Sequence, residues 1–289
     1  MGDLVSNLFK TKAVNAGKED KPFWYTSGKI GMYFINAEFL YGSEEESKAL
    51  LANVDEALSN HQTLPKKVFD EVLKQYNSNE IYKSTIDSLV ETIKNNVNLD
   101  EVDYISGGER RDWVFSNMVA YILKKPHISV YKDLTACVSN YDFSNTEELS
   151  TLEEKKVLHV SDLINTAASY VRAWVPIIEK LGGKMEWTIA IVDRMQGGAE
   201  ILAGYGVKTY SLVKVDKNLF KMALEKGAIS SEQYKMIDKY IDSPFETMKQ
   251  FLISHPEFIE EALKSSGKPL ERAKKCLEED IYGLNDLKK

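Results

Sequence analysis

The sequence predicts an α/β fold with a mostly parallel, twisted sheet, a small N-terminal hairpin and added helices at both ends. Between residues 99 and 215, short apolar strand patterns alternate with helical patterns, and such repeats favour parallel pairing with right-handed crossovers. On both sides of this core, apolar residues recur at helical spacing. We therefore divide the chain into a hairpin and helical insert (1–98), an α/β core (99–215) and a C-terminal helical extension (216–289).

Composition narrows the classes of function. The chain has 289 residues, of which 43% are hydrophobic, so it is long enough to bury a large core. Its net charge of −7 argues against broad binding of nucleic acid or of anionic membranes. No apolar run approaches the roughly 20 residues that cross a bilayer. The two cysteines lie far apart, and no basic start precedes an apolar run, so we expect a cytoplasmic protein without a signal peptide.

The N-terminal region predicts a hairpin followed by helices. Residues 1–21 are polar and predict a short helix and an arm. Residues 23–41 predict two short strands around the turn Ser27-Gly28-Lys29. Residues 43–97 carry apolar side chains at helical spacing and predict three helices, with Pro65 opening the second.

The first half of the core predicts two strands joined by a helix. Residues 102–105 predict a strand, 106–112 a loop, 114–123 a helix and 127–131 another strand. Residues 133–154 are polar with little periodicity. A connection of that length in a compact domain indicates a functional lid or a disordered segment.

The second half of the core repeats the alternation. A strand from Val157 leads into a helix over 167–181, which we expect Pro176 to kink. Residues 187–192 predict a strand, 193–198 a turn and 208–213 a further strand, with a helix between them. From residue 217 onward we expect helices that break near Pro244, Pro256 and the segment 267–269.

The stretch 157–169 has the pattern of a phosphate-binding loop. An apolar strand ends in Ser161-Asp162 and turns through small and hydroxyl residues into a helix, whose first N–H groups favour an anion. Asp162 would lie beside the phosphate, where a carboxylate binds a ribose hydroxyl or Mg²⁺. The alternative is an ordinary strand-to-helix turn. His159 lies within the apolar strand and is interpreted as a buried core residue rather than a catalytic base.

Three motifs in this order resemble the orotate phosphoribosyltransferase family of type I phosphoribosyltransferases. The first is the 157–169 loop. The second is Ile191-Val192-Asp193-Arg194-Met195-Gln196-Gly197-Gly198, which is similar to the orotate enzymes specifically. The third is Ser27-Gly28-Lys29 with Tyr33-Phe34-Ile35-Asn36, which looks like the hood hairpin that covers the base. The resemblance covers residues 23–41 and 102–213.

The resemblance implies 5-phosphoribosyl 1-pyrophosphate (PRPP) and a nucleobase as substrates, Mg²⁺ as cofactor and a homodimer. The implied catalytic residues are Asp162, which would also bind the metal, and Lys132, which matches a basic pair of the family. The implied base-binding residues are Arg194, Phe34 and Lys29. The implied PRPP-binding residues are Gly107, Gly108, Arg110, Arg111, Ser161, Asp162, Asn165, Thr166, Ala167, Ala168 and Ser169.

The chain departs from the family pattern at several positions. Ser161 stands where the family usually has the first of two acids. Asn165, Ala167 and Ala168 replace Thr, Gly and Gly. Thr26 stands where the orotate enzymes commonly carry Lys. Residues 133–154 contain no Lys, Arg or His, whereas the family's lid brings a Lys and a His over the pyrophosphate. These changes weaken the electrostatic part of the chemistry.

The leading expectation is phosphoribosyl transfer to a pyrimidine base, with orotate first. One alternative is a regulatory protein that binds PRPP or a nucleotide without catalysis, which the loss of the lid lysine and of the paired acid favours. The other is a transferase for a different base, with Thr26 and Ile35 altering specificity.

Overall fold

The computed structural model describes residues 2–18 and 21–284, so residues 1, 19 and 20 of the predicted arm and 285–289 of the C-terminal extension lie outside it. The strands are β1 (Val14–Ala16), β2 (Phe23–Trp24), β3 (Ile30–Gly31), β4 (Tyr33–Ile35), β5 (Tyr104–Gly108), β6 (His127–Val130), β7 (Ala136–Ser139), β8 (Thr146–Glu148), β9 (Lys156–Ile164), β10 (Lys184–Asp193) and β11 (Lys208–Lys214). The helices are α1 (Gly2–Lys10), α2 (Glu44–Ala57), α3 (Leu64–Ser78), α4 (Glu80–Asn96), α5 (Trp113–Leu123), α6 (Val175–Lys180), α7 (Gly198–Gly204), α8 (Lys217–Glu225), α9 (Ser231–Asp242), α10 (Pro244–Ser254), α11 (Pro256–Lys264) and α12 (Lys268–Glu278). None of these helices combines the length and apolar character that a membrane crossing requires.

The chain forms two compact units. The first contains residues 1–11 and 37–215, and the second contains residues 12–36 and 216–289. This division differs from the three segments predicted from the sequence. The helical insert packs with the core because α3 and α4 contact α5, whereas the hairpin region packs with the C-terminal helices because α12 contacts β2 and α10 contacts β3.

A seven-stranded sheet in the order β11-β10-β9-β5-β6-β7-β8 forms the first unit. The five strands from β11 to β6 run parallel, and β7 and β8 are antiparallel. The predicted α/β fold with a mostly parallel sheet is therefore confirmed. Its central strands are buried on both faces, which explains their continuous apolar runs.

The segment 106–108, predicted to be part of a loop, extends strand β5 instead. Gly108 pairs with Val130 of β6, and Ser106 pairs with His159 of β9. Hydrogen-bonding partners on both sides outweigh the low strand propensity of glycine. The loop is therefore shorter than predicted and begins at Glu109.

The helical insert consists of α2, α3 and α4, as the apolar spacing predicted. Ser43 caps α2 by accepting a hydrogen bond from the Glu46 N–H, and Asn79 caps α4 in the same way. Pro65 lies in the first turn of α3, where its missing N–H costs nothing.

Residues 133–154, interpreted as a lid or a disordered segment, form an ordered extension of the sheet. Strand β7 pairs with β6 and β8 pairs with β7. Phe143 at the turn of this hairpin is 1% exposed and stacks on Phe69, with ring centroids 4.6 Å apart. The disordered alternative was wrong, because one buried aromatic and two strand pairings order a segment whose composition is otherwise polar. The lid alternative stays a prediction.

Replacing Phe143 with alanine should detach this hairpin. We expect the free energy of unfolding to fall by about 3 kcal/mol, because a fully buried ring is lost and a cavity remains. Tyr141 lies on the same hairpin but is 41% exposed. The control variant Tyr141→Ala should change the free energy by less than about 1 kcal/mol in urea titrations. Equal losses of stability in the two variants would contradict the packing of Phe143 against Phe69.

The helix after β9 opens with a wide turn. Residues 170–174 form a π-helical turn, closed by a hydrogen bond from the Val175 N–H to the Tyr170 carbonyl, and α6 follows directly. Pro176 lies in the first turn of α6, where a missing N–H is tolerated. The predicted helix thus accommodates its proline by a change of helix type.

The second unit combines two small strand pairs with α8 to α12. Strand β2 pairs with β3 around the predicted turn, but β4 pairs with β1 rather than joining that hairpin. The breaks predicted near Pro244, Pro256 and residues 267–269 are confirmed, because α10, α11 and α12 begin there. Tyr282 donates and accepts hydrogen bonds with the backbone of Ile30.

Candidate functional site

A cleft of about 330 Å³ lies where β5, β6 and β9 end. Residues that follow the carboxyl ends of parallel strands meet at one edge of the sheet, which is where such folds bind ligands. The predicted site residues that line this cleft are Arg110, Arg111, Lys132, Ser161, Asp162, Asn165, Ala167, Ala168 and Ser169. The lining residues for which the sequence suggested no role are Glu109, Asp112, Leu163, Tyr170 and Trp174.

The loop after β9 keeps a left-handed backbone without glycine. Ala167 has φ +52° and is 2% exposed, with its methyl group in the core. The Asn165 side chain accepts a hydrogen bond from the Thr166 N–H at 2.7 Å. The substitution of alanine for glycine therefore leaves the positive φ in place, and burial of the methyl group offsets its strain.

The carboxylate of Asp112 makes four polar contacts in the wall of the cleft. Its Oδ1 accepts hydrogen bonds from the Ser161 hydroxyl and from the Asp162 N–H, both at 3.0 Å. Its Oδ2 accepts one from the Gly108 N–H at 3.0 Å and contacts His159 Nε2 at 3.3 Å. Asp112 is only 6% exposed, so these donors replace the water that a carboxylate otherwise needs.

Asp162 lies in an acidic environment. Burial raises its pKa well above the usual range, and the negative charges of Asp112 and Glu38 raise it further, against a smaller opposing effect of Arg111. Glu38 is 3% exposed and its pKa is also raised, mainly by burial. Like charges that share a buried site cannot all ionise readily, so this group of carboxyls favours bound protons or a positive partner.

The two arginines of the 109–112 loop differ in their partners. Arg110 forms a salt bridge with Asp55 and donates to the Leu51 carbonyl at 2.9 Å, so its guanidinium is directed to helix α2. Arg111 is about half exposed and contacts Glu38 through Nε at 3.2 Å. Arg111 therefore has more donors available to an anion in the cleft.

A tight turn joins β6 to β7 beside the cleft. The Tyr131 N–H donates to the Thr135 carbonyl at 3.0 Å, and the Asp133 carboxylate accepts from both the N–H and the hydroxyl of Thr135. Lys132 lies in this turn and contacts Glu109 through Nζ at 3.3 Å. The turn is self-closed and carries one cation, Lys132, among residues 131–135.

Gly107 and Gly108 make room for protein side chains. A Cβ on Gly107 would lie 2.2 Å from Ser116 Oγ, and one on Gly108 would lie 2.2 Å from Trp174 Cε2. The Gly108 N–H already donates to Asp112. These contacts argue against the predicted close approach of a pyrophosphate to this backbone, because the space and the donor are used within the protein.

The predicted base-binding residues lie in different parts of the chain. Arg194 follows β10 and is not among the residues that line the cleft; its Nε is buried and has no hydrogen-bond partner among the described residues. Phe34 and Lys29 belong to the second unit, where Phe34 packs against Phe23 and Tyr25. Their roles stay predictions.

His159 is a buried structural residue, as predicted. Its Nδ1 is 2.9 Å from Ser106 Oγ, and its ring packs edge-on against Tyr170. Ser106, His159 and Asp112 have the order of a catalytic triad, but Ser106 and His159 are 0% exposed. A nucleophile without access to substrate has no catalytic use.

Sequence reasoning missed Asp112 and Glu38. Asp112 ends the glycine loop directly before α5, a position typical of a helix cap, and its side chain caps no N–H of that helix. Glu38 is an acid within an otherwise apolar run, Ala37–Tyr41, all of which is buried. A buried acid in an apolar run was the available signal, because such residues need a partner.

Comparisons with known proteins agree with this architecture. The orotate phosphoribosyltransferase of Sulfolobus acidocaldarius is 27% identical over 242 residues, which cover 83% of this chain and 96% of that protein. The adenine phosphoribosyltransferase of Clostridium novyi is 27% identical over 179 residues, or 57% of this chain and 99% of that protein. The crystal structure of the orotate phosphoribosyltransferase from Aeropyrum pernix superposes with a TM-score of 0.51 at 18% identity, covering 78% of this chain and 99% of that one. No protein-family profile matches the chain.

The sheet order, the cleft at its carboxyl edge and the structural neighbour define the type I phosphoribosyltransferase fold. Within that class, the resemblance to the orotate phosphoribosyltransferases, predicted from three motifs, is confirmed by relatives that align over most of the chain.

Proposed function

We propose that this protein binds PRPP in the cleft and transfers its ribose 5-phosphate to a nucleobase, with orotate as the first candidate. The observation that carries this proposal is the convergence of Ser161, Asp162, Asn165 and residues 167–169 with Arg111 and Lys132 in one cleft. Thr166, also predicted to bind PRPP, is not among the residues that line it. Relatives named orotate and adenine phosphoribosyltransferase both support phosphoribosyl transfer, while the choice of base rests on the orotate-like motifs.

In this proposal the loop residues 166–169 surround the 5′-phosphate, and the carboxyl of Asp162 faces the ribose. Transfer passes through an oxocarbenium-like state at C1, which needs positioning and negative charge more than a strong nucleophile. Arg111 and Lys132 would neutralise the departing pyrophosphate.

Mg²⁺ is proposed only as an ion that arrives on the pyrophosphate of the substrate. Within residues 2–18 and 21–284, no three His, Cys, Asp or Glu side chains come together in a way that holds a metal ion. The oxygens of Asp112 are already occupied by protein donors, and Asp162 is buried beside it. These residues do not fit a metal site belonging to the protein itself.

The test of the function is a binding and turnover series with the full chain. Calorimetry with PRPP, with and without Mg²⁺, measures binding, and pyrophosphate release is then followed with orotate, uracil, adenine, guanine and hypoxanthine. Turnover with orotate alone supports the proposal. Turnover only with another base changes the substrate, and no PRPP binding contradicts the proposal.

A second candidate is a regulatory protein that binds PRPP or a nucleotide without turnover. The segment 133–154 favours it, because the resemblance places the lid there and this segment contains no Lys, Arg or His. Binding without product, for all five bases, would select this function.

Arg111 and Arg110 make a matched pair for testing the phosphate site. We expect Arg111→Gln to weaken PRPP binding about tenfold, because a charge-assisted hydrogen bond to phosphate is lost. Arg110→Gln should change affinity less than about threefold, because its guanidinium is held by Asp55 and Leu51. Calorimetry of both variants measures the difference, and the reverse order would show that Arg110 changes partner when ligand binds.

We also propose a homodimer in the cytoplasm. The resemblance suggests the dimer, and the two cysteines are free and buried, as expected in a reducing compartment. Sedimentation of the purified chain measures its oligomeric state, and cell fractionation measures its location.

A further inference from the structure

A carboxylate lies beside position 161 although the residue there is serine. The Ser161 hydroxyl donates to Asp112 Oδ1 at 3.0 Å, and the two residues are 3% and 6% exposed. They are 49 positions apart in the chain. The resemblance places the first acid of the PRPP motif at position 161, so the group missing from strand β9 is present on a neighbouring element.

The site has room for one carboxylate at this point. An aspartate side chain extends one bond farther than serine, so Asp at position 161 would bring its oxygens into the place that Asp112 Oδ1 occupies. Two buried like charges at that separation would also repel strongly. Serine at 161 and aspartate at 112 are therefore complementary.

Asp112 is anchored to the same backbone that carries Asp162. The Asp162 N–H donates to Asp112 Oδ1, and the Gly108 N–H donates to Oδ2, each at 3.0 Å. Asp112 lines the cleft together with Asp162. The negative charge of Asp112 is, after burial, the largest influence that raises the pKa of Asp162.

We propose that Asp112 takes the place of the missing first acid of the PRPP motif, with Ser161 as its positioning residue. The cleft then keeps two carboxyl groups next to the ribose although β9 supplies one. This inference rests on the proposed function, and it states which protein groups supply negative charge beside the sugar.

A swap of the two residues tests the proposal. The proteins compared are the wild type, Ser161→Asp, Asp112→Ser and the double variant. We expect each single variant to bind PRPP at least about tenfold more weakly than the wild type. Ser161→Asp adds a second buried charge, and Asp112→Ser leaves buried hydrogen-bond donors unpaired. The double variant restores one carboxylate and should bind within about threefold of the wild type, with a higher unfolding midpoint than either single variant.

Asp112→Asn separates charge from packing. It keeps the size of the side chain, so it should fold and yet bind PRPP about tenfold more weakly. If turnover occurs, kcat should fall more than KM rises.

The proposal is overturned if the double variant loses as much PRPP affinity, and as much in its unfolding midpoint, as the sum of the losses in the two single variants. Wild-type affinity in Asp112→Asn also overturns it. A wild-type protein that binds no PRPP overturns the proposed function instead, and the unfolding midpoints then decide alone whether the carboxylate can be moved to position 161.

Discussion

Replacing Gly108 with alanine is expected to destabilise the protein by about 3 kcal/mol or more. The new Cβ would lie 2.2 Å from Cε2 and 2.4 Å from Cζ2 of Trp174. Real Cβ atoms do not approach other heavy atoms so closely, so the indole or the strand must shift. Trp174 is 3% exposed and belongs to the buried core cluster, so its indole can move only toward the cleft that it lines.

The same substitution should also damage the cleft, which Trp174 helps to line. Chemical denaturation measures the loss of stability, and PRPP calorimetry measures the loss of binding. Gly204 supplies the control: it ends α7, and a Cβ there would meet no atom of the described residues within 4 Å. Gly204→Ala should stabilise the protein by about 0.5 kcal/mol or leave it unchanged. Similar stability of the Gly108→Ala and Gly204→Ala variants would show that the Trp174 contact yields easily.

Asp162→Asn should make the protein more stable at pH 7 and abolish its activity. The pKa of Asp162 is raised in the folded state by burial and by the charges of Asp112 and Glu38. Ionising this carboxyl therefore opposes folding at neutral pH, and asparagine removes that cost. We expect a gain of about 1 kcal/mol or more in the free energy of unfolding, with PRPP-dependent turnover reduced about 100-fold or more.

The pH dependence of the stability difference between wild type and Asp162→Asn shows whether ionisation of Asp162 causes that difference. Well below pH 3.8 the carboxyl is protonated in both the folded and the unfolded chain, so it contributes no pH dependence there. As pH rises above the ordinary value of 3.8, the unfolded chain loses its proton first, and the wild type loses stability until the folded pKa is passed. The advantage of Asp162→Asn should therefore grow with pH over that window. Glu38 contributes a slope of the same sign in both proteins.

Urea titrations between pH 4 and pH 8 measure this effect. The control is Asp70→Asn, an exposed residue paired with Lys66 along α3, which should change stability by less than about 0.5 kcal/mol. A stability difference between wild type and Asp162→Asn that does not vary with pH would contradict the acidic environment described for Asp162.

The sequence predicted the parts of the site that depend on neighbours along the chain. An apolar strand that begins at Val157 ends in Ser161-Asp162 and is followed by small and hydroxyl residues, and the cleft lies at this turn. It did not predict the partners of Arg110, because Asp55 lies on a different helix, 55 positions away. The hairpin of β7 and β8 was missed for a similar reason, since its stability comes from the ring of Phe69 in the helical insert.

The alternation of strands and helices in the core and the helix breaks at Pro244 and Pro256 followed from the sequence alone, because backbone preferences and side-chain periodicity act over a few residues. The family resemblance came from the residues of three motifs. The tertiary structure decided which carboxylate stands beside Asp162, which glycine makes room for Trp174, and which residues form each compact unit. These outcomes depend on contacts between distant segments, and only the order in which the strands pair brings those segments together.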